Sequence, residues 1–122
     1  MTIKFTDDQL LMILDQAFCN AGHLHYGDMQ ISAPKDAGEK ARAQLTDPSR
    51  EELWAQVLRN GDSLTIHDAQ DGSKHKFNLE LAHQKLGNLP LWVVGDIVNG
   101  QDDADHGDWT LEYLCYGDKI YG

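Results

Sequence analysis

The chain has 122 residues, 41% of them hydrophobic, and 20 acidic against 10 basic residues give it a formal charge of −10. That length corresponds to one domain, and the hydrophobic fraction is too high for a disordered chain. The charge disfavours direct binding to nucleic acid or to an anionic membrane; it favours a basic protein partner, or a protein site that normally holds nucleic acid.

The first element is a helix. Thr6 and Gln9 are spaced as a capping box, and Leu10, Leu11, Ile13, Leu14, Ala17 and Phe18 follow at helical spacing, with an end expected near Cys19–Asn20. His23 to Gly27 reads as a loop or the start of a strand, Met29–Ser32 as a short strand, and residues 35–44 as a weak, polar helix. A second firm helix is expected to begin at Asp47-Pro48, with Asp47 or Thr46 as its cap. It carries Leu53, Trp54, Val57 and Leu58 on one face and stops at Asn60-Gly61.

Residues 63–78 alternate in polarity about Asp71-Gly72, the pattern of a β-hairpin. Asn78 is placed to cap a short helix, Leu79 to Leu86, which Gly87 stops. Leu89 to Val94 is an apolar run that suits a buried strand or a packed loop. The fold class expected from this order is α+β: a single domain, 1–122, with three or four helices packed on a small antiparallel sheet.

The C-terminal stretch concentrates the charge, since residues 86–122 hold seven acids and one base, Lys119. Asp103 or Asp105 can cap a last helix, and Asp102, Asp103, Asp105 and Asp108 crowd the positive end of its dipole. Trp109, Leu111, Tyr113, Leu114, Cys115 and Tyr116 cover more than one stripe, so this helix should be buried on two sides. Gly117 fits a left-handed C-terminal cap, and residues 118–121 read as a short strand or tail. Two readings of the acidic run stand side by side. One is capping and solubility. The other is a surface that imitates nucleic acid: four carboxylates over about 9 Å of helix approach the charge density of duplex DNA, about one per 1.7 Å.

Signals for chemistry are sparse. Cys19, His23 and His25 are close in sequence, but a zinc site needs three or four converging ligands and no second pair is present. A calcium loop starting at Asp103 would place Gly107 fifth and Asp108 sixth, which breaks the pattern. Ser32, Ser49, Ser63 and Ser73 lie in no nucleophile-elbow context, and the chain has no phosphate-cradling glycine loop. No enzyme, metal or cofactor is therefore expected. The N-terminus MTIKFTDDQ lacks the apolar core of a secretory signal and no run approaches a membrane span, so a reduced, cytoplasmic setting is expected, with Cys19 and Cys115 as thiols.

Gly61–Leu81 and the terminus Asp103–Gly122 resemble a group of small acidic accessory proteins of phages and mobile elements. The resemblance rests on a D-A-D-x-x-D-x-x-x-x-Y-x-x-x-G-x-x-x-Y-G pattern, filled here by Asp103, Ala104, Asp105, Asp108, Tyr113, Gly117, Tyr121 and Gly122. The chain departs from it at Gly107, Thr110 and Lys119, and Lys119 argues against a buried last segment. The group carries no assigned catalytic residue; what the resemblance implies is a genomic setting. Joined to the charge, it leads to the expectation of an inhibitor that binds a basic or nucleic-acid-binding host defence protein, in the manner of an anti-CRISPR. An immunity or antitoxin-like protein against a basic toxin fits the same charge, and a small metal-binding protein using Cys19, His23 and His25 or the aspartates is the remaining alternative. The expected contact residues are Asp102, Asp103, Asp105, Asp108, Trp109 and Glu112.

Overall fold

The computed structural model describes residues 2–20, 29–101 and 104–120. The expected features at His23, His25, Asp102, Asp103 and Tyr121 lie outside these. The order is α1 (Asp7–Asn20), β1 (Met29–Ser32), α2 (Lys35–Ala43), α3 (Arg50–Arg59), β2 (Leu64–Asp68), β3 (Ser73–Phe77), α4 (Leu79–Leu86), α5 (Leu91–Val98) and α6 (Ala104–Tyr116). The α+β class holds, with a three-stranded antiparallel sheet in the order β1-β2-β3 and six helices among the described residues.

The capping box of α1 forms as its spacing demands: Gln9 N–H donates to Thr6 Oγ1 at 3.1 Å, and Thr6 N–H donates to Gln9 Oε1 at 2.9 Å. Leu10, Leu11, Ile13, Leu14, Ala17 and Phe18 are all buried, and Phe18 meets the edge of Trp54 at 5.3 Å. Helix α3 starts later than Asp47-Pro48 suggested. Ser49 is its cap, because Ser49 and Glu52 satisfy two free amides reciprocally while Asp47 turns left-handed at φ 45°. The hairpin pairs Asp68 with Ser73 and Leu64 with Phe77, leaving a four-residue loop. Leu64, Ile66 and Asp68 point inward, so a carboxylate occupies the third core position of β2.

The apolar run 89–94 is neither a buried strand nor a packed loop. It enters a helix, α5, behind Pro90, and Val93 and Ile97 are buried one turn apart. A six-residue apolar run shows no period of its own, and the tertiary contacts with α1 and α6 decide for helix over β-branched preference.

Gly87 stops α4, but its backbone is right-handed at φ −59°. Its requirement is space. The N-terminal segment runs across it, with Ile3 N–H donating to Gly87 O at 2.7 Å. A Cβ there would lie 2.8 Å from Thr2 Cγ2 and 2.9 Å from the Ile3 carbonyl oxygen. Gly87→Ala is therefore expected to cost about 1–3 kcal/mol by overpacking, read as a lower denaturation midpoint with unchanged helix content.

Candidate functional site

Helix α6 is the structural spine of the site, packing on α1, α4, α5 and β3. Of the expected contact residues, Asp105 is exposed and Trp109 half-buried. Asp108 and Glu112 are not surface charges: their exposures are 2% and 0%. They lie one helical turn apart and turn inward, because two-sided burial of α6 leaves them no path to solvent. The row of four exposed carboxylates expected from the sequence thus loses Asp108.

Glu112 is met by the chain that follows the helix, through one hydrogen bond and one ion pair. Gly117, at φ 71°, ends α6 with its N–H on the Tyr113 carbonyl at 2.9 Å, and the chain doubles back. Ile120 N–H donates to Glu112 Oε1 at 3.0 Å, and Lys119 Nζ forms an ion pair with Glu112 Oε2 at 2.8 Å. The Lys119 side chain is only 16% exposed and also lies over the Trp109 ring at 5.8 Å. The lysine is thus tied down, while Asp118 and Ile120 beside it are exposed, in keeping with the expectation that the last segment is not buried. Residues 118–120 form an irregular tail and not a strand.

Asp108 fares differently. Its Oδ2 is buried with no hydrogen-bond partner among the described residues. Burial, then the neighbouring Glu112 charge, pushes its carboxyl up to about 7, against the opposing pull of Lys119. A carboxyl raised on folding binds more protons folded than unfolded, so stability falls as pH rises from about 4 to about 7 and stays low above it. Asp108→Asn removes that ionisation. The variant is expected to have a higher denaturation midpoint than the parent at pH 8, by a few kcal/mol at most (each pKa unit is worth about 1.36 kcal/mol). The difference should be smaller at pH 5 and close only below about pH 4, the ordinary carboxylate value. Urea titrations at the two pH values measure it.

Trp109 joins a line of aromatic side chains across α5 and α6. It stacks on Tyr113 at 6.2 Å and makes a T-shaped contact with Trp92 at 5.2 Å, and Trp92 meets His106 at 5.7 Å. His106 Nε2 is 2.8 Å from Asp96 Oδ2, tying α6 to α5. Trp92 is 51% exposed and its neighbour Leu91 61%. Farther along α5, Val94 and Val98 line a groove of about 210 Å³ with Phe5 and Met12. The run of apolar residues in 89–94, which suits a buried strand or a packed loop, gives no sign in the sequence of this exposed surface on α5.

A second polar cluster sits where the hairpin meets the end of α6. Tyr116 OH lies 2.6 Å from Asp68 Oδ2 and 2.8 Å from Asp71 Oδ2. Ser73 Oγ is 2.5 Å from Asp71 Oδ1 and 2.7 Å from His75 Nε2. The Ser73–His75 pair has the separation of a nucleophile and its base. The hydroxyl, however, is held by a carboxylate, and Asp71 contacts the serine instead of orienting the histidine, so the arrangement of a catalytic triad is not met. The hydrogen bonds from Ser73, followed by that from Tyr116, hold Asp71 down at about 2. The cluster fastens the hairpin to α6. Its one signal in the sequence is that Ser73 and His75, two apart on a strand, share a face.

Both cysteines are free; Cys19 is exposed, and burial followed by the charge of Asp68 pushes the Cys115 thiol up to about 12. Among the described residues no group of three His, Cys, Asp or Glu is arranged to hold a metal ion, and no helix is long and apolar enough to cross a membrane. Comparison with family models, with curated proteins and with solved structures finds no match to this chain.

Proposed function

We propose that the protein acts by stoichiometric binding to a basic protein, and that the contact is centred on the α5/α6 shoulder rather than on a row of carboxylates. The supporting observation is Trp92, half-exposed and in edge contact with Trp109, on a chain of charge −10. A large aromatic side chain held by a second one is a preordered anchor, of the kind that dominates binding energy at protein interfaces. Leu91 extends the apolar centre, and the exposed Asp105, one turn before Trp109 on α6, adds negative charge to the same helix. Like charge opposes self-association through this surface, whereas a basic partner is drawn to it.

In the setting that the sequence resemblance implies, the partner is a nucleic-acid-handling defence protein of the host, and occupancy of its basic surface inhibits it without turnover. Trp92→Ala should reduce capture of the partner from host lysate by tenfold or more, about 1.4 kcal/mol or greater. Raising the salt should weaken the parent's binding only in part, because the screening length of about 8 Å at 0.15 M acts on the charges and not on the anchor. Equal capture by the parent and Trp92→Ala, compared by quantitative mass spectrometry, would overturn the reading.

A further inference from the structure

Lys119 occupies a site with more acceptor capacity than a lysine uses. It pairs with the buried Glu112 and lies over the face of Trp109, and the buried Asp108, one turn earlier on α6, is close enough to feel its charge. Glu112 takes the ammonium at 2.8 Å and the Ile120 amide at 3.0 Å. Asp108 Oδ2, equally enclosed, has no hydrogen-bond donor among the described residues. A buried acceptor without a donor costs the folded state the desolvation of that atom, so it marks a place where a donor would be gained.

We propose that Asp108, Glu112 and the Trp109 ring form a receptor for an arginine side chain of the protein partner, closed in the free chain by Lys119. The inference rests on the proposed binding function and names the group that the site would recognise. Arginine suits it better than lysine on three counts. The planar guanidinium carries five N–H donors and can serve two carboxylates at once, whereas the ammonium here acts on Asp108 through charge alone and leaves its Oδ2 without a hydrogen bond. It stacks on an indole face. It is also more weakly hydrated than an ammonium, which lowers the cost of entering a buried site.

The plug can leave without unfolding the helix. Gly117 already ends α6, Gly117 and Asp118 are exposed, and the tail is held to Glu112 by the Ile120 amide and the Lys119 ammonium. The site adjoins the anchor, since Trp109 contacts both Lys119 and Trp92. A partner seated on Trp92 would bring a basic side chain within reach of the same indole.

The test is a titration of the isotope-labelled full chain with end-blocked Gly-Arg-Gly, followed at the Trp109 indole N–H. Gly-Lys-Gly and the uncharged Gly-citrulline-Gly serve as comparison peptides. Lys119→Ala opens the site and is expected to bind the arginine peptide at least tenfold more tightly than the parent. The lysine peptide should bind more weakly and the citrulline peptide not at all. Adding Glu112→Gln to Lys119→Ala should abolish the gain. Lys119→Arg supplies the guanidinium in cis, and it should raise the melting midpoint and exclude the peptide.

Equal binding by the parent and Lys119→Ala, or equal binding of the citrulline peptide, would overturn the proposal. If Lys119→Ala fails to fold, Lys119→Arg decides: an unchanged or lower midpoint overturns it. These measurements need no cellular partner, so they can fail while Trp92-dependent capture stands, and the reverse.

Discussion

Glu112 is a carboxylate with no exposed surface, and an ionised group so placed destabilises the fold unless charge and hydrogen bonds meet it on the spot. The chain meets it with its own last segment, through the Lys119 ammonium and the Ile120 amide. That requirement sets the path of the chain after Gly117, which must turn back along α6 instead of running into solvent or joining the sheet. It also explains how the Lys119 side chain is largely covered while Asp118 and Ile120 beside it stay exposed.

Helix α6 is held at both ends by polar contacts to elements far apart in sequence. Near its start, His106 reaches Asp96 on α5. At its end, Tyr116 reaches Asp68 in the core position of β2 and Asp71 in the hairpin loop. Between these fastenings, Leu111, Leu114 and Cys115 supply the apolar contact. The helix is thereby fixed in rotation, and one consequence is that Asp108 and Glu112 face inward while Trp109 faces α5. The acidic composition and the buried acids have one origin in sequence and two roles in space: exposed carboxylates such as Asp105 keep the molecule negative, and the inward Glu112 orders the tail.

The surface left by this packing joins exposed large apolar side chains to a high net charge. Val93 and Ile97 anchor α5, so Leu91 and Trp92 are held outward on a firm support. Trp109 connects that support to the Lys119 site, so the apolar anchor and the buried charges share an indole.

Much of the local structure was legible in the residues alone. The Thr6–Gln9 box, the Asn78 cap, the hairpin about Asp71-Gly72 and the left-handed Gly117 each follow from chemistry within four residues, and the structure forms all of them. Ser49 displaced Asp47 as a cap by the same kind of local bond, which shows how two neighbouring candidates compete at a helix start. What the sequence could not determine was direction. An aspartate at a helix start reads as a surface charge, and only the packing of α6 between α1, α4 and α5 turned Asp108 and Glu112 inward. In the same way the apolar run 89–94 has no period to show which side is buried, and the neighbours of α5 decided that Trp92 stays out. Local bonds depend on spacing along the chain. Burial depends on which faces meet, and that is settled only when distant elements close around the same core.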